Sequence, residues 1–385
     1  ASGVVLVAVA AVRAGAGERQ SWVFVAGFAG YVVAQRLLYE YAVRRDKGLR
    51  VLQSSGYSKW LLGGSPKDCN LVAHRCGAGE APENTLTSLQ YALGLQGGAR
   101  RVGLLQLDVM QTKDKELILM HDTPLEKNLE KLTGDSGEVK DFVFDELPEW
   151  KEEVAANVFC PTGTPAIRVP SPRKFTRFED ACRELAKQPQ HEELPDLFLE
   201  FWQMNESSAP IECARDILRR HGLQARRVAA WGSPESSQIQ KWCREADDGI
   251  PVLITFGQAF KVWFLWHTGL LMFFQPECLR SSSGKIVFNV MFVGELWPRA
   301  ICKAAKLREE DGGCKVRLIR LLLRVLRWWT DTPRLFSYLR RGCGVPVVLF
   351  LANTDADMTA CGGYSDVAAI QTDFPRKFSL EPHFH

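Results

Sequence analysis

The stretch LLQLDVMQTKDKELILMHD, residues Leu104–Asp122, decides the fold. It holds two apolar runs, Leu104–Met110 and Leu117–Asp122, with six residues between them, Gln111–Glu116. A crossover between parallel strands takes about a dozen residues or more, so these runs are expected to pair as an antiparallel hairpin. Closing the loop over Lys113–Glu116 sets Thr112 against Leu117 and Asp108 against His121. Alternation along a strand then places Gln106, Asp108 and His121 on one face.

Outward from the hairpin, further strand-like runs occupy Asn70–Arg75, Leu197–Trp202, Arg227–Gly232, Pro251–Phe256, Lys285–Met291, Val345–Leu351 and Ala368–Thr372. Most are continuously apolar, as parallel strands buried on both faces are. Helix-like segments such as Thr85–Leu95, Phe178–Leu185, Ala209–His221 and Ser236–Ala246 lie between them. This alternation predicts an α/β chain closed as a (β/α)8 TIM barrel over residues 70–385. The two hairpin runs and these seven make nine candidates for eight barrel places, which one extra hairpin strand explains.

Composition fits a folded protein: 385 residues, 46% hydrophobic and 24% charged, so wholesale disorder is excluded. A net charge of +3 gives no basic footprint for nucleic acid. The 11 cysteines include no C-x-x-C pair, which fits reduced thiols better than a disulfide or zinc framework. Residues 1–50 form an N-terminal hydrophobic segment, and residues 51–69 a linker. Its apolar stretches, Val4–Val12 and Trp22–Ala34, each fall short of the ~20 residues a bilayer needs. Read as one helix, Trp22–Val43 is long enough but carries Arg36 and Glu40, with Arg44, Arg45, Lys47 and Arg50 behind it. A membrane anchor or interfacial helix is expected ahead of the alternative, a helix packed against the main domain, and with it a membrane-associated location, the endomembranes being one option.

Polar residues cluster where the strands should be apolar. His74-Arg75 ends the first, Gln106 and Asp108 sit in the second, His121-Asp122 ends the third, and Glu200 lies in the fourth. Buried charges are costly unless paired or metal-bound, so one shared site explains them better than four accidents. Two histidines can act as general acid and base, Asp108 and Glu200 suit a hard cation, and Arg75 offers a fork for phosphate. Singly each has a bland explanation, a capping histidine or a salt-bridged glutamate; the joint placement points to cleavage of a phosphate ester.

LVAHRCGAGEAPENTL (Leu71–Leu86), the hairpin stretch and LFLEFW (Leu197–Trp202) resemble, in order and spacing, the signature blocks of glycerophosphodiester phosphodiesterases. The resemblance extends to VFDELPEWKE (Val143–Glu152) and TDFP (Thr372–Pro375). The hydrophobic N-terminus and the aromatic segment near residue 260 are most similar to the membrane-anchored lysophospholipase D branch. The resemblance implies a barrel that hydrolyses glycerophosphodiesters or lysophospholipids to an alcohol and a phosphate monoester, with a divalent metal, Mg2+ or Ca2+. It assigns His74 and His121 to acid/base catalysis, Arg75 to the phosphate, Gln106, Asp108 and Glu200 to the metal, and Glu83 and Asn84 to support.

Three positions depart from that pattern. Gln106 stands where a carboxylate is usual, Cys76 where a glycine is, and Trp202 where a lysine is. Loss of one anion and one cation leaves a catalytically degenerate barrel that binds a lipid or protein partner as the alternative function. Elsewhere, Ala259–Phe274 is dense in aromatics and reads equally as an outer barrel helix facing the core or as a monotopic patch, with Trp263, Phe264 and Trp266 the expected residues for lipid access at a membrane surface. Val316–Trp329 reads as a basic amphipathic helix of the barrel's outer layer, with Leu318, Leu322, Val325 and Trp329 on its apolar face. Asp355-Ala-Asp357 lacks the glycine and glutamate of a calcium loop. Asn205 opens a glycosylation sequon, relevant only in a secretory lumen.

Overall fold

The computed structural model describes residues 18–380 apart from 55–56, 63–69, 96–100, 123–126, 157–158, 189–193, 205, 224–226, 281–284, 292–295, 298–313 and 331. The apolar stretch at 4–12 and the sequon asparagine lie outside the described residues. The strands, in chain order, are β1 Asn70–Ala73, β2 Val102–Gln111, β3 Leu117–Leu119, β4 Glu153–Val154, β5 Ile167–Arg168 and β6 Thr176–Arg177. They continue with β7 Asp196–Phe201, β8 Val228–Gly232, β9 Val252–Leu253, β10 Ile286–Met291, β11 Val347–Phe350 and β12 Ala369–Thr372. Eight of them, β1, β2 and β7 to β12, run parallel around a closed barrel, with β1 paired to both β2 and β12.

The ninth sequence run is β3, paired antiparallel with the C-terminal end of β2. Its register differs by one residue from the expected one: Gln111, not Thr112, faces Leu117. The extra residue is absorbed by the turn. Thr112 N–H donates to the Glu116 carbonyl at 3.0 Å, its hydroxyl accepts from Glu116 N–H at 3.1 Å, and Lys115 adopts φ 72°. Asp108 therefore lies across from Met120, whose N–H donates to the Asp108 carbonyl. His121 follows the end of the strand, so strict alternation no longer governs it.

Inside the barrel the chain is layered. Towards the N-terminal ends of the strands, Val72, Leu104, Phe198, Ala230, Leu253, Val287, Val348 and Ala369 form a dry floor. Leu52, Tyr57, Trp60 and Leu61 join this cluster. The segment expected to be a linker thus includes the helix Lys59–Leu62, whose Trp60 and Leu61 are buried. Two residues further along five of these strands the facing residues become polar: His74, Gln106, Glu200, Asn289 and Gln371 are all buried. Polar groups thus gather at the C-terminal ends of the strands, the end where barrels of this kind place their chemistry.

The segment from Thr112 to Thr176 is an insertion beside that mouth. Met110, Ile118, Met120, Leu129, Trp150, Phe175 and Trp202 form its own apolar cluster. A helix runs over Glu18–Arg44, and Tyr31 stacks on Phe273 at 6.3 Å while Tyr39 meets Trp266 edge-on at 5.8 Å. Among the described residues, no helix is long and apolar enough to cross a membrane.

Candidate active site

The chain leaves β1 through a tight turn in which His74, Arg75 and Cys76 are all buried. Arg75, Cys76 and Gly77 take left-handed backbone angles, φ 48°, 60° and 99°. A side chain in that region costs about 1 kcal/mol, which is the physical reason a glycine suits position 76 better than cysteine. The turn aims His74 at Asp373, just past the neighbouring strand β12. Nδ1–H donates to Asp373 Oδ1 at 2.6 Å, leaving Nε2 as the basic nitrogen of the neutral ring. Asp373 is itself fixed, since Asn353 Nδ2 donates to its Oδ2 at 2.6 Å and its N–H donates to Asn353 Oδ1 at 2.8 Å.

Arg75 is held on two sides. Its Nη1 donates to both oxygens of Glu83, at 3.1 and 3.2 Å, and its Nε lies 3.5 Å from Asp108 Oδ2. Asn84, with φ 54°, grips Asp108 twice: Nδ2 donates to Oδ2 at 2.9 Å, and Oδ1 accepts the Asp108 N–H at 3.1 Å. Glu83 thus holds Arg75, and Asn84 holds Asp108.

Asp108 is fully buried, and its other oxygen is equally engaged. Oδ1 accepts from Gln106 Nε2 at 2.7 Å and from the Trp202 indole N–H at 2.8 Å. Gln106 uses its single oxygen to accept the Arg75 backbone N–H at 2.7 Å. Glu200 accepts from Asn289 Nδ2 at 3.2 Å. Burial, and then the charge of Asp108, push the Glu200 carboxyl up from its usual range, with Arg75 drawing it partly back.

A hard divalent cation needs several oxygens with lone pairs turned towards it. Here the Asp108 oxygens face four protein donors, and Gln106 presents its NH2 towards them. The Mg2+ or Ca2+ expected at Gln106, Asp108 and Glu200 does not fit this donor set. Among the described residues, no three carboxylate, imidazole or thiol groups gather into a cation cage.

His121 closes the far side. Its ring meets Trp202 edge-to-face at 4.5 Å, and its carbonyl accepts from Asn128 Nδ2 at 2.9 Å. Asp122 turns away to accept the N–H of Asn128 at 2.6 Å, at the start of the helix Asn128–Thr133. One network therefore links Arg75, Glu83, Asn84, Gln106 and Asp108. It reaches His121 through Trp202, whose ring also belongs to the insertion's core.

Residues 74–250 match the sequence signature of the Glycerophosphoryl diester phosphodiesterase family. It is 26% identical over 306 residues to Lysophospholipase D GDPD3 of Homo sapiens, across 79% of this chain and 82% of that protein. Lysophospholipase D GDPD3 of Mus musculus is 30% identical over 203 residues, 53% of this chain and 54% of that one. A glycerophosphoryl diester phosphodiesterase-like protein of Silicibacter pomeroyi DSS-3 shares the fold at TM-score 0.53 and 16% identity, over 81% of this chain and 92% of that chain.

Other expected residues fall differently. Trp263 is buried against Phe288, so it is not a surface residue, and Trp266 is partly buried between Tyr39 and Tyr338. Phe264 is exposed, and Phe256 and Phe260 share its helical face. Along Cys314–Thr330, Val316 and Leu323 are buried while Leu322 and Val325 are exposed, so the inward face is turned from the expected one. Asp373, Asn353, Asn289 and Asn128 belong to the site's surroundings without having been singled out in the sequence. Only TDFP carried a signal, as a motif without a role for its aspartate.

Proposed function

We propose that this chain is a phosphodiester hydrolase acting on glycerophosphodiesters or lysophospholipids, with His74 and His121 as the acid/base pair. The His74–Asp373 contact of 2.6 Å carries the reading. An imidazole held by a carboxylate on Nδ1 has a fixed tautomer, and the carboxylate steadies the imidazolium that forms when Nε2 takes a proton. In the reaction a water oxygen bonds to phosphorus as the bond to the alcohol oxygen breaks. One histidine removes the proton from the water, and the other delivers one to the leaving alcohol. Arg75 is the buried cation beside them, although Glu83 and Asp108 share its charge. The saturated Asp108 favours a second reading, a barrel that binds a phosphodiester without cleaving it.

Choline release from lysophosphatidylcholine separates the two. The purified chain should release choline, and His74→Ala and His121→Ala should each be slower by about 10²–10⁴-fold. Equal rates in all three would remove the histidines from the mechanism. Binding without release would favour the second reading.

We further propose that the outer face rests on a membrane surface. Phe256, Phe260, Phe264, Phe273 and Phe274 are exposed on and just after the helix Phe256–His267. The neighbouring helix Cys314–Thr330 adds exposed Leu321, Leu322 and Val325, with Arg317, Arg320 and Arg324 exposed among them. Apolar rings beside arginines suit anionic head groups.

A further inference from the structure

We propose that Gln106 and Trp202 together stand in for a divalent cation at the mouth of this barrel: their N–H groups occupy the lone pairs of Asp108 beside the Arg75 cation, and the site works, or binds its ligand, without a metal ion. The inference rests on the mouth being a phosphodiester site, and it concerns how this chain balances the charge there.

The argument begins with what an amide can and cannot do at position 106. Arg75 N–H points at the side chain and needs an acceptor, which Gln106 Oε1 supplies at 2.7 Å. A carboxylate could satisfy that N–H with one oxygen and offer the other to a cation. An amide has one oxygen only. Turning it over would set NH2 against the Arg75 N–H and an oxygen against Asp108 Oδ1, two repulsive contacts in place of two bonds. The backbone of the Arg75 turn therefore fixes Gln106 with its N–H facing Asp108, where it donates at 2.7 Å.

Trp202 makes the second half of the replacement. Its indole N–H reaches the same Asp108 oxygen at 2.8 Å. An indole nitrogen is a donor and never a metal ligand in this form. The ring is also anchored, since it packs in the insertion's apolar cluster and lies 7% exposed. The two substitutions are thus complementary. One removes the oxygen that would hold a cation, and the other fills the remaining lone-pair direction with a proton on nitrogen. A buried carboxylate with its hydrogen bonds satisfied needs no further counter-charge from a metal.

Calorimetric titration of the full chain with CaCl2, and separately MgCl2, tests this without reference to turnover. The wild type is expected to show no saturable binding up to about 10 mM, whereas Gln106→Glu/Trp202→Lys should bind one Ca2+ with Kd ~1 mM or tighter. Gln106→Glu alone, which disturbs the packing least, should bind the same ion more weakly and serves if the double variant does not fold. One-site binding by the wild type that is lost in Asp108→Asn would overturn the proposal. Folded variants that bind no better than the wild type would overturn the role given to this pair. A chain that neither binds Ca2+ nor releases choline, while its variants bind, would sustain this inference and defeat only the proposed hydrolysis.

Discussion

At the scale of single residues, the site is a set of buried polar groups in which Asp108 and Asp373 have both carboxylate oxygens engaged. In the proposed hydrolysis Asp373 acts through His74, whose ring it orients. Asp373→Asn removes the charge that favours the imidazolium and permits the wrong tautomer, so kcat should fall by about 10²–10⁴-fold with KM little changed. Steady-state kinetics on lysophosphatidylcholine checks this. Glu200 gives a pH signature. Burial and Asp108 raise its folded carboxyl above the unfolded value. The fold thus favours the protonated form: its contribution is fully present below the ordinary glutamate range and is lost as pH rises through the raised value. Glu200→Gln mimics the neutral acid, so urea midpoints should fall less steeply with rising pH than in the wild type. An unchanged slope would mean that Glu200 is not the group responsible.

At the scale of elements, the hairpin shows what a sequence carries and what it does not. The gap of six residues was enough to make the pairing antiparallel, because no parallel crossover fits it. It was not enough to set the register, which depends on Thr112 bonding both ends of the turn and on Lys115 turning left-handed. A one-residue slip normally reverses every side chain. Here His121 still reaches the site because β3 ends at Leu119. The barrel floor was hidden for a related reason: Trp60 sits in a short helix with no periodic pattern, and its burial depends on partners distant in sequence. Gly103 shows the fit, since an added Cβ would lie 2.6 Å from the Trp60 ring. Gly103→Ala should therefore destabilise by about 1–3 kcal/mol, and Trp60→Ala by about 3–5 kcal/mol, in urea unfolding.

At the scale of the whole molecule, the short continuous apolar runs alternating with helix-like segments made the barrel legible, since strands buried on both faces read that way. His74, Arg75, Gln106, Asp108 and Glu200 were legible too, as polar residues inside those runs. Their bonding was not, because Asp373 and Asn353 are nearly three hundred residues from His74 and meet it only when β12 closes on β1. Nor could the aromatic segment declare which rings face outward: Trp263 turns in and Phe260 turns out. The exposed belt predicts co-sedimentation with vesicles rich in anionic lipid, weakened in Phe260→Ser/Phe264→Ser and by high salt. Binding unaffected by both changes would place the membrane contact elsewhere.

The most direct test of the account is phosphorus NMR of lysophosphatidylcholine incubated with the full chain, in EDTA and in added Ca2+. The account predicts a lysophosphatidic acid resonance that grows at equal rates in both conditions and is absent with His74→Ala. A product that forms only when Ca2+ is supplied, or a substrate signal that never changes, would contradict it.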